Sequence, residues 1–424
     1  MSKSLIKNKD DFIVTLNCWA VAMMLVSFII TRTLASISLF KNTSNNVFVL
    51  LAVAICMAGS ALLAKKVYIP LPSVFIFLLI FTNFIITLIF HGDETTTNAI
   101  QFIFFAVIPI YLISQKLDPE RILRYSLYLS LITIPIVNVF FQIQYEKYSQ
   151  AYMGNIFSIL PTVIIAMIHF KLYRKNSNIV VKIAYIYNLY LLIKICLIAN
   201  RGAVVCILFC FLVLMINAYD DEKRIKLKPL KIILFVVLFI IGVIVLINAL
   251  PILESLQTFF KNTFSFVPSF ISKMINYINE GDVTDGRTNI NEFVIDAILK
   301  KPVFGHGIET FENYVRENTT KNWQYPHQYI WQYLFEGGVV FSIIPIYLSL
   351  SLTVKVLSTR IVKKDEFAIC CTLVCLCIPK LLLSTDPWDS TTIWMLITYS
   401  LLYIFKTNSF FKAYAQKLNF KQND

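Results

Sequence analysis

Residues 47–64 read VFVLLAVAICMAGSALLA, an apolar run of 18 residues without a charged side chain. A helix needs about 20 apolar residues to cross the hydrocarbon core of a bilayer, so this run predicts a membrane-spanning helix. Eleven similar runs occur along the chain. They are 12–30, 68–90, 98–114, 122–141, 155–173, 180–199, 202–218, 231–249, 338–357, 366–384 and 391–405.

The composition of the whole chain agrees with these runs. Of its 424 residues, 57% are hydrophobic and 15% are charged, and the mean hydropathy is +0.69. A soluble domain is typically about 45–50% apolar and about 25% charged. Soluble nucleotide-binding enzymes, secreted disulfide scaffolds and disordered proteins are therefore disfavoured. We predict an all-α polytopic membrane protein of about twelve transmembrane helices with one large helical loop.

The placement of lysine and arginine predicts the orientation. With a cytoplasmic N-terminus, the cytoplasmic tails and connections hold 25 of these residues, whereas the short connections on the other side hold four, Arg32, Lys41, Lys147 and Arg201. This bias follows the positive-inside rule. It predicts two cytoplasmic termini and a periplasmic 250–337 segment. The net charge of +13 then reflects topology and not a nucleic-acid surface.

The predicted spans divide the chain into three parts. Residues 1–249 hold nine transmembrane helices, 250–337 form the large periplasmic loop, and 338–424 hold three further helices and a cytoplasmic tail. No small-residue cleavage site follows the first span, so we interpret it as a retained helix and not as a removed signal peptide.

Nine cysteines all lie inside apolar runs, which predicts packing residues and neither a disulfide framework nor a zinc site. They are Cys18, Cys56, Cys196, Cys206, Cys210, Cys370, Cys371, Cys375 and Cys377.

Three helical patterns are predicted in the long loop, each too short to span a membrane. Apolar residues recur at helical spacing over 268–279 and over 287–301, and a third helix is predicted from Pro326 to Gly337. We expect these helices to lie on the membrane surface above the bundle.

Basic residues near the membrane are candidates for anion binding, because ionisable groups are costly there. Arg201 lies in a tight turn between two spans, where a guanidinium grips phosphate with paired N–H donors or reaches lipid headgroups. Lys194 precedes it by seven residues, a spacing of two helical turns, and pairing with backbone carbonyls is the alternative. Lys380 has a similar position, and we interpret it as a snorkelling lysine.

Two residues of the long loop are further candidates. Arg287 opens the second predicted helix, where backbone N–H groups also favour an anion, although a surface ion pair with Asp282 or Asp285 is the alternative. His327 opens the third helix and titrates near neutral pH, so it suits proton transfer, although a structural hydrogen bond explains a lone histidine equally simply.

Aromatic and acidic residues complete the set of candidates. Four rings around His327 suit either stacking on sugars or the headgroup belt. These rings are Trp323, Tyr325, Tyr329 and Trp331. Asp386 and Asp389 flank a tryptophan in a short loop without metal-site spacing, and no phosphate loop, nucleotide fingerprint or serine elbow is present.

Three local signatures, concentrated over residues 195–345, resemble those of the bacterial O-antigen polymerase and O-antigen ligase superfamily. The segments are Asn200-Arg201-Gly202-Ala203; Gly286-Arg287 with Phe293–Leu299 and Lys301-Pro302-Val303-Phe304-Gly305-His306-Gly307; and Pro326-His327-Gln328-Tyr329 with Leu334-Phe335-Glu336-Gly337-Gly338. The family usually has asparagine where this chain has Gln328, which keeps the amide.

The resemblance implies a glycosyltransferase that takes a glycan from undecaprenyl pyrophosphate at the periplasmic face of the bacterial inner membrane, without metal or other cofactor. It implies that Arg201, Arg287 and Lys194 bind the pyrophosphate and that His327 accepts or orients the acceptor proton. The aromatic residues around His327 would hold the acceptor sugar. A chain-length regulator and a flippase are expected partners, together with membrane lipid.

A polymerase that extends lipid-linked repeat units is favoured by its larger number of known members. A ligase that transfers glycan to lipid A-core is the alternative within the family. Outside the family, a flippase of lipid-linked oligosaccharide and a scaffold of the assembly machinery stay open.

Overall fold

The structure is a computed structural model of the chain. It describes residues 3–36, 45–65, 69–91, 103–137, 150–198, 201–217, 219–220, 223–224, 249–265, 267, 269–280, 287–321, 323–384, 388 and 390–408.

The described residues form sixteen α-helices. Their bounds are α1 (Lys3–Leu25), α2 (Ser27–Ser36), α3 (Asn45–Ala64), α4 (Leu71–His91), α5 (Ile108–Ile113), α6 (Pro119–Ser130), α7 (Gln150–Tyr173), α8 (Ile179–Ile198), α9 (Arg201–Ile216), α10 (Ala249–Phe264), α11 (Ser269–Glu280), α12 (Arg287–Lys300), α13 (Phe311–Asn318), α14 (Tyr329–Leu357), α15 (Lys364–Ser384) and α16 (Thr391–Thr407).

Within the described ranges, six helices are long and apolar enough to cross a membrane, namely α3, α4, α7, α8, α14 and α15. Helices α1 and α2 add a seventh span if they are counted together, although the chain bends by 68° between them. These helices confirm a multi-pass membrane protein. The predicted number of twelve spans is not confirmed.

Several predicted spans are shorter or interrupted. The described part of 98–114 contains a π-helical turn and the six-residue α5, and the described part of 122–141 contains α6 followed by a 3-10 turn. Pro135 lies inside that turn, and proline removes the N–H that a continuing α-helix needs. The hydropathy of a sequence does not reveal such interruptions of a helix.

The other shorter spans are close to the predicted limits. Helix α9 has 16 residues and α16 has 17, each slightly shorter than the about 20 residues that cross a bilayer without local thinning. The predicted span 231–249 lies, apart from its last residue, outside the described residues.

Helix α15 lies at the centre of the bundle. It packs against α7, α9, α14 and α16, and 72% of its apolar span is buried, compared with 17% for α3. Seven of the nine cysteines are buried, six of them in α15 or in the facing helix α9. Cys371 and Cys375 lie one turn apart on α15 with their sulfur atoms at 3.8 Å, which agrees with the predicted packing role.

Charged and polar contacts connect several helices at one end of the bundle. Arg121 at the start of α6 binds Asp11 of α1 at 2.6 Å, and Lys406 at the end of α16 binds Glu366 of α15 at 2.7 Å. The Tyr173 hydroxyl at the end of α7 donates to Asp365 at 2.6 Å. The starts of α6 and α15 and the ends of α7 and α16 meet at this end of the bundle. This is the arrangement expected if successive apolar runs cross the membrane in opposite directions.

Replacing Tyr173 with phenylalanine should lower the free energy of unfolding by about 1–2 kcal/mol, because it removes one partly buried hydrogen bond to a carboxylate without changing the packing. Equilibrium unfolding in mixed micelles measures this difference. Equal stability of the variant and the wild type would contradict the contact.

The segment between α9 and α14 contains four described helices. Helices α11 and α12 confirm the patterns at 268–279 and 287–301, with ends that differ by one residue. The amphipathic helix α10 was not predicted, and its Phe259 and Phe264 side chains are 55% and 60% exposed. Two antiparallel β-strands of two residues each, Tyr219–Asp220 and Lys223–Arg224, follow α9 and form the sheet of the described ranges.

Candidate active site

The loop between α12 and α13 is joined to a break in α14 by four backbone hydrogen bonds. The N–H of His306 donates to the Phe335 carbonyl at 2.7 Å, and the N–H of Gly307 donates to the Glu336 carbonyl at 2.9 Å. After the break, the N–H groups of Val339 and Val340 donate to the carbonyls of Pro302 and Val303 at 2.9 and 3.2 Å. The second and third sequence signatures are therefore a single structural unit, which we call the loop–helix junction.

Two glycines permit this close approach. Gly338 has φ 55° and ψ −164° inside α14, a conformation that side chains rarely adopt. A Cβ atom at Gly338 would lie 2.3 Å from the Val303 carbonyl oxygen, and one at Gly305, with φ 70°, would lie 2.5 Å from the carbonyl oxygen of Glu336. The predicted third helix thus continues from Tyr329 past Gly337 as a broken helix.

His327 occupies a left-handed turn directly before α14, with φ 59°. It is partly exposed, and its ring centroid lies 4.3 Å from that of Tyr325. The Oε1 atom of the neighbouring Gln328 is buried and has no hydrogen-bond partner among the described residues. Left-handed backbone and an unsatisfied buried acceptor each cost about 1–3 kcal/mol, and such costs concentrate at functional sites.

The four aromatic candidates have different environments. Trp323 and Trp331 are partly exposed and pack on a cluster between α12, α13 and α14. That cluster consists of Ile290, Val294, Ala297, Phe311, Val315 and Phe335. Tyr325 is partly exposed next to His327, whereas Tyr329 is fully buried with its hydroxyl 3.2 Å from that of Ser349. Tyr329 is thus positioned for packing and not for stacking on a sugar.

His306, the other histidine of this segment, is a buried packing residue. It is 5% exposed, its Nε2 atom lies 2.8 Å from the Ala297 carbonyl oxygen, and its ring stacks on Phe335 at 4.5 Å. His327 is therefore the more exposed of the two histidines of this segment.

The two candidate arginines occupy equivalent positions, because Arg201 is the first residue of α9 and Arg287 is the first residue of α12. Free backbone N–H groups at a helix start favour an anion. The description of both residues ends at the backbone, so their guanidinium groups are outside the described structure.

The two candidate lysines are partly buried. The Lys194 ammonium lies 5.8 Å from the centre of the Tyr190 ring on α8. Lys194 lies in α8, which ends at Ile198, and Arg201 begins α9, so the structure assigns the two residues to different helices. The Lys380 ammonium lies 5.3 Å from the Phe28 ring and 5.8 Å from the Phe157 ring, which places it between α2 and α7 and differs from the snorkelling interpretation.

The helices that carry the candidates form one connected group. Helix α11 contacts α8, α12 packs on α14, and α9 contacts both α8 and α14. The helices that carry Lys194, Arg201 and Arg287 and the helix that follows His327 are therefore connected by packing contacts. Asp386 and Asp389 lie outside the described residues.

A comparison with protein-family models identifies the region that contains this junction. Residues 186–345 match the O-antigen ligase family. The match begins in α8, ends in α14 and includes Lys194, Arg201, Arg287 and His327. It confirms the predicted resemblance to the O-antigen polymerase and O-antigen ligase superfamily. No curated protein matches the chain at a significant level.

The O-antigen ligase match also includes a residue to which sequence analysis assigned no role. Glu336 is 1% exposed inside α14, and three N–H groups donate to its carboxylate. An acidic residue in an otherwise apolar helix is the signal that would have identified it, because such residues are rarely buried without partners.

Proposed function

We propose that the chain is an O-antigen polymerase, which transfers a glycan from undecaprenyl pyrophosphate to the non-reducing end of another lipid-linked repeat unit. The observation that carries this proposal is the partly exposed His327 in a left-handed turn before α14, the helix that the loop–helix junction joins to the loop after α12. The O-antigen ligase match over the same residues supports the substrate class.

In the proposed reaction, a hydroxyl of the acceptor sugar attacks the anomeric carbon of the donor with inversion. A new glycosidic C–O bond forms, the bond from the anomeric carbon to the pyrophosphate oxygen breaks, and undecaprenyl pyrophosphate leaves. His327 accepts the proton of the attacking hydroxyl. The glycosyl pyrophosphate already stores the energy, so no nucleotide is needed.

Charge on the departing oxygen is the main barrier in this chemistry, and fixed cations in a water-poor site stabilise it. Arg201 and Arg287 are proposed to hold the pyrophosphate, each with the N–H groups of the helix that it begins. Lys194, on the preceding helix α8, is proposed as a third contact. With three cations in place, the proposed reaction requires no divalent metal.

The acceptor sugar is proposed to bind at the rings near His327 that are partly exposed. Trp323, Tyr325 and Trp331 meet that condition, and their flat faces suit the apolar face of a pyranose. Tyr329 is left out of this proposal because it is fully buried.

In the proposed topology, the protein resides in the bacterial inner membrane with both termini cytoplasmic and the loop–helix junction periplasmic. A flippase that delivers the donor and a regulator of chain length are the expected partners.

Arg287→Ala should lower kcat by two to three orders of magnitude, equivalent to about 3–4 kcal/mol of transition-state stabilisation. Arg316→Ala is the matched control, because Arg316 lies in the same segment, is 63% exposed and pairs with Glu312 on its own helix. Initial rates of glycan extension by the two purified variants measure the difference. Equal rates would contradict a role for Arg287 in catalysis.

Reconstitution tests the reaction itself. Purified protein in liposomes with lipid-linked repeat units should produce a ladder of products without ATP. A single transfer that requires added lipid A-core would instead establish the ligase, which the name of the matched family favours. Movement of labelled substrate between leaflets without glycan extension would establish the flippase and reject the enzyme.

A further inference from the structure

The buried carboxylate of Glu336 receives hydrogen bonds from three separate parts of the chain. The Glu309 backbone N–H donates to Oε1 at 3.1 Å, and the Gln332 side-chain amide donates to the same atom at 3.0 Å. The Trp388 indole N–H, from the connection between α15 and α16, donates to Oε2 at 2.6 Å. Charge-assisted bonds of this kind are about twice as strong as neutral ones, so the carboxylate links three segments.

The first of these segments is the loop of the loop–helix junction. Glu309 has φ 57°, a left-handed conformation that costs about 1–3 kcal/mol in a residue other than glycine. The next contact along this loop is the N–H of Ile308, which donates to the Thr87 hydroxyl of α4 at 3.0 Å. The carboxylate thus stabilises a strained residue at the end of the loop.

The second segment leads from Glu336 to the turn of His327. Gln332 is 1% exposed, and its backbone N–H donates to the Gln328 carbonyl at 3.1 Å, the first helical bond of α14. Gln328, Gln332 and Glu336 are spaced by four residues and lie on one face of the helix. One side-chain bond and one backbone bond thus connect the carboxylate to Gln328, the residue that follows His327.

The cavity next to Glu336 is too small to admit a sugar. Its volume is about 20 Å³, and its lining includes Asn83, Trp394 and Glu336. The Asn83 amide oxygen and the Trp394 indole N–H have no hydrogen-bond partner among the described residues. A space of this size accommodates about one water molecule and not a sugar.

We propose that Glu336 is a positioning residue, which holds the loop at Glu309 and the first turn of α14 in the relative arrangement that His327 requires. The expected effect of Glu336 on turnover rests on the function proposed above. Its expected effect on the order of the loop and of the first turn of α14 does not depend on that function.

Glu336→Gln tests the proposal with the full-length protein in lipid nanodiscs. The amide keeps the size of the side chain but replaces one acceptor oxygen with an NH2 group, so at least one of the three N–H groups loses its acceptor. We expect kcat to fall by about 10- to 100-fold, the cost of a small displacement at a reacting centre. The KM for lipid-linked repeat units should stay within about twofold of the wild-type value, since the pyrophosphate contacts are retained.

Tyr173→Phe is the matched control, because it removes one partly buried hydrogen bond to a carboxylate at the opposite end of α15. If this variant loses as much stability as Glu336→Gln but keeps its kcat, the positioning role is supported. An equal loss of kcat in both variants, or an unchanged kcat in Glu336→Gln, overturns it. Gln332→Met interrupts the same link and should also lower kcat, which retains the test if Glu336→Gln does not fold.

Hydrogen–deuterium exchange separates this inference from the proposed function. Amides of 302–310 and of 328–333 should exchange severalfold faster in Glu336→Gln than in the wild type, and at the wild-type rate in Tyr173→Phe. If the wild type extends no glycan, the proposed function fails. The exchange result alone then decides whether Glu336 orders the loop at Glu309 and the first turn of α14. Unchanged exchange in both segments overturns the positioning role.

Discussion

Turnover of lipid-linked repeat units is expected to fall by about 10²- to 10⁴-fold when His327 is replaced by asparagine, which is the usual contribution of a positioned proton acceptor. Asparagine tolerates the left-handed backbone of this position better than most residues do. The loss should therefore occur in a protein that folds normally. Single-turnover rates of glycan transfer measure the chemical step separately from product release.

His327→Ala separates the imidazole from the backbone. This variant should lose the same activity as His327→Asn, but it should also be less stable by about 1 kcal/mol, because alanine accommodates positive φ poorly. A His327→Asn variant that transfers glycan at the wild-type rate would exclude proton transfer by His327. It would leave the turn with a structural role only.

Gly338→Ala is expected to prevent accumulation of folded protein. The new Cβ atom would lie 2.3 Å from the Val303 carbonyl oxygen, and the φ of 55° would add backbone strain. The oxygen belongs to the backbone and accepts the N–H of Val340, so it cannot move without loss of the junction. The combined cost should be about 4 kcal/mol or more, which is exceptional for one methyl group.

Gly59→Ala is the matched control for that experiment. Gly59 lies in α3, and its added Cβ atom would lie 3.3 Å from the end of the Leu16 side chain, which can rotate away. Alanine is also favoured over glycine in a helix by up to about 1 kcal/mol. Detergent-solubilised size-exclusion profiles of the two variants provide the comparison. Normal accumulation of folded Gly338→Ala would show that the junction is not rigid.

The sequence predicted those parts of the fold that depend on local hydropathy. Apolar runs such as 47–64 correspond to observed helices, because lipid requires every backbone group in a span to be paired within it. The bend between α1 and α2 was not predicted, because helices on either side of a bend have the same apolar composition. The 3-10 turn at Pro135 was missed for a related reason, since one proline changes the geometry without changing the hydropathy.

The sequence indicates which residues are candidates for the site, but it does not indicate how they are arranged in the fold. The sequence indicates His327 as a candidate beside the basic residues, but its left-handed backbone is visible only in the structure. Sequence analysis also included Tyr329, whose burial depends on a contact with Ser349 twenty residues later in the chain. The role of Glu336 was not visible, because its partner Trp388 follows it by 52 residues and is adjacent only in the folded bundle.

The loop–helix junction uses backbone atoms on both sides, which has a practical consequence for labelling. Val303 and Phe304 contribute carbonyl and chain geometry to it while their side chains are 52% and 58% exposed. A cysteine at either position would carry a spin label or fluorophore a few residues from His306 without removing any bond of the junction. The signal of such a reporter, with and without the proposed lipid-linked donor, would then test whether that donor reaches the junction.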